Sequence, residues 1–110
     1  MTGTQAAIVD SMLEVEKHAL EGALVSLTRL RKAVKAKWQI SDDRFNQEIL
    51  RFADTGKWAL HFHADQYMLT DKDKKGMVPV TLNGKTEYAI GIALRAEDML
   101  PWRSTKTVLQ

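Results

Sequence analysis

The 110-residue chain is 45% hydrophobic and 27% charged, enough for one modest core, with nothing to suggest a second domain or an internal repeat. Cysteine is absent, which excludes a disulfide framework, a thiol nucleophile and cysteine-based zinc sites, and fits a reducing compartment. The N-terminal residues lack a basic leader-type segment and no apolar run approaches the ~18 residues of a membrane span, so the expectation is a soluble, cytoplasmic protein.

The net charge of +2 says little alone; its distribution says more. Residues 1–24 set Lys17 against Asp10, Glu14, Glu16 and Glu21. Residues 25–51 set Arg29, Arg31, Lys32, Lys35, Lys37, Arg44 and Arg51 against only Asp42, Asp43 and Glu48. The positive excess therefore falls on one central segment.

In chain order, Val9, Met12, Leu13, Leu20, Ala23 and Leu24 are spaced to predict one long amphipathic helix over 5–24, acidic on its wet face. Ser26 is a good N-cap for a second helix, whose Leu27, Leu30 and Val34 turn inward and leave Arg29, Arg31, Lys32 and Lys35 outside. Trp38-Gln39-Ile40 breaks the pattern, with Trp38 and Ile40 expected beneath the turn. Ser41 caps a third helix over 41–55, with Asp42 and Asp43 in its first turn, where the helix dipole favours negative charge. Phe45, Ile49, Phe52 and Ala53 form its inner stripe, while Arg44, Gln47 and Arg51 recur along an outer line. Gly56 is the expected left-handed stop.

Residues 58–63 alternate as a half-buried strand, with Trp58, Leu60 and Phe62 on one face. Tyr67-Met68-Leu69 leads into a charged segment, 70–75, that suits a short helix. Asn83-Gly84 predicts a two-residue type I′ turn pairing Leu82 with Lys85, Val80 with Glu87 and Pro79 with Tyr88. Alternation then turns Tyr88, Ile90, Ile92 and Leu94 toward the helices. Residues 1–95 are expected to form the domain and 96–110 a tail that docks Trp102 on the core.

From Ala23 to Arg95 this pattern resembles the winged helix-turn-helix superfamily, in particular its compact bacterial and phage-type members. The matching elements are Leu27…Leu30-Arg31, Phe45…Ile49-Leu50…Gly56, Leu60-His61-Phe62-His63 and the run from Tyr88 to Arg95. The resemblance lies in pattern and spacing, over about two-thirds of the chain. It implies an α+β fold of three helices, a short strand and a C-terminal β-hairpin wing, with helix-turn-helix 26–56 and strand and wing 58–95. It makes 41–55 the recognition helix and the loop around Asn83-Gly84 the wing, although the wing tip offers only Lys85 where many are richly basic.

On that reading Arg44, Gln47 and Arg51 read bases in the major groove: Arg can bridge guanine O6 and N7, and Gln can bridge adenine N6 and N7. Thr28, Arg29, Arg31, Lys32, Lys57 and Lys85 are expected at phosphates, setting register without reading sequence. The plainer alternative is a solvated helix face with Asp43, Glu48 and Asp54 as intrahelical partners. His61-Phe62-His63 with Asp65 puts two imidazoles near a carboxylate, but His-x-His lacks a third strong ligand, so no metal and no cofactor is expected. No Ser-His-Asp signature or phosphate-binding glycine loop is present, and an enzyme is not expected. The expected partner is double-stranded DNA, as a transcriptional regulator or an accessory factor of replication, partition or mobile elements. A homodimer through the first helix or the tail is compatible with this, and a protein-interaction module on the same fold is the rival expectation.

Overall fold

Ser26 and Ser41 each close an extended stretch and open a helix. In the computed structural model, which describes residues 3–96, Ser26 Oγ accepts from the Arg29 amide at 3.3 Å and Ser41 Oγ from the Arg44 amide at 3.1 Å. Both satisfy a first-turn amide that the helix itself leaves without a partner. The elements are α1 (Gly3–Val15), β1 (Val25–Ser26), α2 (Leu27–Lys37), α3 (Asp42–Asp54), β2 (Trp58–Phe62), α4 (Asp71–Gly76), β3 (Val78–Leu82) and β4 (Lys85–Leu94). Two 3₁₀ turns, Ala19–Glu21 and Gln66–Met68, lie between them. The described residues thus form an α+β fold of four α-helices and a small antiparallel four-stranded sheet.

The single long helix expected over 5–24 is not formed. It stops at Val15; the Glu16 carboxylate turns back onto the His18 amide at 3.0 Å, and Gly22 takes φ +92°. Gly alone adopts that left-handed geometry without strain, and it frees Val25 and Ser26 to pair with Ile92 and Gly91. A two-residue strand, Val25–Ser26, stands at the junction of the two expected helices.

β4 is the centre of the sheet. Its C-terminal half lies between β1 and β2, and its N-terminal half pairs with β3. Ala89 is paired with Phe62 on one side and Val78 on the other, so β2 and β3 flank β4 on opposite edges. The crossing between them is made by the Gln66–Met68 turn and α4, which Thr70 and Asp73 start with a reciprocal capping box.

The hairpin has the expected register, Leu82 to Lys85, Val80 to Glu87 and Pro79 to Tyr88, and Asn83 and Gly84 sit at φ 52° and 78° as a type I′ turn requires. The faces differ from simple alternation. Opposite β2 the register jumps from His61–Gly91 to Phe62–Ala89, leaving Ile90 as an extra residue on β4. This bulge reverses parity: Ala89, Ile92 and Leu94 all enter the core, while Tyr88 and Ile90, expected inward, stay half-buried at its margin. Gln66 completes the interrupted edge by donating to the Tyr88 carbonyl at 3.1 Å and accepting from its amide at 2.7 Å.

Ile8 and Met12 of α1, Leu27, Leu30 and Val34 of α2, and Phe45, Ile49 and Phe52 of α3 meet Trp58 and Ile92 in one core. Burying each large side chain contributes about 1.5–3 kcal/mol. Phe52 meets Trp58 edge to face at a centroid distance of 5.8 Å, which ties the end of α3 to the start of β2. Phe62, grouped with Trp58 and Leu60 by alternation, is instead 38% exposed beyond the bulge. Residues 97–110 and the docking of Trp102 lie outside the described residues.

Candidate nucleic-acid interface

α3 carries the expected outer line. With 3.6 residues per turn, Arg44, Gln47 and Arg51 stack on one side of the helix, and all three are exposed. The side chains of Arg44 and Arg51 are 54% and 62% exposed. The same periodicity puts Asp43 and Asp54 beside Gln47, at the helix's outermost positions. The arginines therefore form one flank of an outer face that also carries two carboxylates.

Beneath that flank lies Glu48. It belongs to the inward stripe, three residues after Phe45 and four before Phe52, and only 1% of it is exposed. Its Oε1 is 3.4 Å from Arg51 Nη1 and 3.9 Å from Arg44 Nε, and has no hydrogen-bond partner. Of the intrahelical partners suggested by sequence, Glu48 alone takes that role, and it does so from below the surface.

The residues expected at phosphates divide. Arg29 and Lys32 are exposed on α2, one turn apart, and neither forms an ion pair among the described residues; Lys57 is likewise exposed. Lys85 stands at the hairpin tip, 4.0 Å from Glu87. Thr28 is exposed, but its hydroxyl donates to the Gly76 carbonyl at 3.2 Å, joining α2 to α4. A Cβ on Gly76 would lie 2.6 Å from that hydroxyl, so the contact needs glycine.

Arg31 does not lie on the outer face. Its side chain is 8% exposed, stacked 4.5 Å above the Phe45 ring, and donates to Asp42 (3.2 Å), Asn46 (2.7 Å) and the Met77 carbonyl (2.8 Å). It joins α2, α3 and the start of β3, and no phosphate can reach it. The reason is positional: Arg31 is one turn after Leu27 and less than one before Val34, on the border of the buried stripe. Burial lowers its pKa, and Asp42 opposes that shift. Asp42 is held below the usual carboxylate range, chiefly by the hydrogen bond that Lys35 donates at 3.0 Å.

Trp38, expected beneath the turn between α2 and α3, is instead 51% exposed. It forms one wall of a groove of about 670 Å³. Thr4 and Ala7 of α1, Val34 of α2, Ile40 of the turn and Arg44 are also among its lining residues. The histidine pair is placed as follows: His63 Nδ1 accepts from the Asp65 amide at 3.0 Å, and no set of three His, Asp or Glu side chains among the described residues could hold a metal ion. No helix among the described residues is long and apolar enough to cross a membrane.

No protein-family model, curated protein or solved structure matches the chain.

Proposed function

We propose that this chain is a winged helix-turn-helix protein that binds duplex DNA, with α3 in the major groove and the Asn83-Gly84 hairpin as its wing. The observation that carries the reading is the exposed line of Arg44, Gln47 and Arg51 on a helix whose other side is anchored in the core. Arginine forks and a glutamine amide are the groups that match guanine and adenine edges, and a rigid helix is the element that fits the groove. Arg29 and Lys32 are suited to phosphates flanking that contact, with Lys57 and Lys85 as outlying contributors. Such a protein would serve as a transcriptional regulator or an accessory factor in replication, partition or mobile-element biology.

The test is a fluorescence-anisotropy titration of mixed-sequence duplex at a series of salt concentrations. Counterion release predicts that log K falls against log salt with a slope of about −4 if roughly four to five phosphates are engaged. A flat salt response, or no binding at low salt, would remove the proposal.

A rival reading keeps the fold and makes it a protein-interaction module. Two observations favour it: Asp43 and Asp54 at the crest of α3, and the partly apolar groove walled by the exposed Trp38. Apolar grooves of this kind are where partner side chains or ligands seat. The same titration separates the two readings, because that module would leave the duplex unbound.

A further inference from the structure

Arg44 and Arg51 reach the surface from the two sides of one buried carboxylate, and that arrangement bears on how bases would be read. A carboxylate taken out of water is destabilising unless it is partnered. Glu48 Oε1 is buried, has no hydrogen-bond donor, and has two guanidinium groups at 3.4 Å and 3.9 Å. The attraction between these charges holds long, flexible side chains that solvent would otherwise leave free to rotate. Each guanidinium has five N–H donors in a planar fork, so one that turns an edge toward Glu48 keeps another edge for a partner outside.

We propose that Glu48 is a positioning residue: it sets Arg44 and Arg51 as a matched pair of forks for base edges, so that Glu48 governs sequence preference without touching DNA. This rests on the DNA-binding reading above. It also explains why a negative charge sits beneath a surface meant for a polyanion. A carboxylate there lowers attraction to phosphate in general, and what it contributes in return is the fixed orientation of two readers, with less ordering left to occur on binding.

The proposal has an opposed pair of consequences. Glu48→Gln keeps the size and polarity of the side chain but removes its charge. The arginines then lose their common anchor while the local charge becomes more positive. Binding to random-sequence duplex should strengthen, by about twofold, as an added positive charge implies. Binding to the duplex that wild-type protein enriches from a random-sequence pool should weaken about tenfold, within the range for a misplaced base contact. A purely structural role would move the melting temperature and change both affinities in the same direction.

The experiment measures both affinities for wild type and Glu48→Gln, with circular dichroism to verify the fold. Opposite changes on the two duplexes are expected; an unchanged ratio between them overturns the proposal. Should Glu48→Gln fail to fold, ¹⁵N relaxation at the Arg Nε positions of wild-type protein supplies the test without a variant. Arg44 and Arg51 are expected to be more ordered than the exposed Arg29, and equal mobility overturns the anchoring role. If wild-type protein enriches no duplex at all, the DNA-binding reading itself fails and the proposal falls with it. If it enriches one that Glu48→Gln prefers equally, only the role of Glu48 fails.

Discussion

The two flanks of α3 hold the same chemistry turned inside out. On one, the cation is buried and the anion exposed: the Arg31 side chain is 8% accessible and that of Asp42 61%. On the other, the anion is buried and the cations exposed: the Glu48 side chain is 2% accessible, Arg44 54% and Arg51 62%. The difference lies in how the buried group is satisfied. Arg31 donates three hydrogen bonds and covers an aromatic ring, so it is fixed by geometry as well as by charge. Glu48 Oε1 is satisfied by charge alone, through two side chains that are each more than half exposed. The first arrangement welds three elements together; the second leaves two arginines held but available.

Arg31→Met should break this comparison hardest. It leaves Asn46 and the Met77 carbonyl without that donor and Asp42 with Lys35 alone, and each part-buried acceptor left unpaired destabilises by about 1–3 kcal/mol. Urea unfolding followed by circular dichroism measures it, and a change below about 1 kcal/mol would mean that Arg31 does not join α2, α3 and β3 energetically. Arg44→Ala and Arg51→Ala should do the reverse. Each leaves the buried Glu48 with one guanidinium instead of two, so stability should fall by about 1 kcal/mol, less than for Arg31→Met, while preference for the enriched duplex falls by about 1–3 kcal/mol. Arg29→Ala should weaken all duplexes alike, which separates a phosphate contact from a base contact.

Smaller effects sharpen the picture. Ser41→Ala removes the cap that starts α3 and should lower stability by about 1 kcal/mol, read as a shift in urea midpoint with unchanged slope. The smallest effect is a pH dependence at Asp42. Its folded pKa lies below the ordinary 3.8, so its contribution is complete above that value and is lost as pH falls through the folded one. Asp42→Asn should therefore lower neutral stability slightly and flatten the acid limb of a stability profile below about pH 4 by the same small amount, as expected for a largely exposed carboxylate.

Much of this was legible in the chain because it depends on local chemistry. Ser26, Ser41 and Gly56 mark helix boundaries through one hydroxyl or one missing Cβ, and Asn83-Gly84 sets its turn through two positive φ values. What was not legible depends on contacts far apart in sequence. The two-residue β1 exists because β4 is there to receive it, and Leu13 and Leu20 keep a helical spacing across the break that follows Val15. The Ile90 bulge is invisible to alternation, since nothing local distinguishes an extra residue from a paired one. Arg31 and Glu48 stand between. Helical periodicity places each beside an apolar stripe, so burial could be inferred, but the donors and acceptors that make burial tolerable come from Asn46, Met77, Arg44 and Arg51.

The most direct measurement is a titration of duplex DNA into isotopically labelled protein, followed by NMR at backbone amides and arginine Nε groups. Shifts are expected at Arg44, Gln47 and Arg51 and at Arg29 and Lys32, with the Arg31 side chain undisturbed. Shifts confined to the groove around Trp38, or none with duplex in excess over protein, would contradict that expectation.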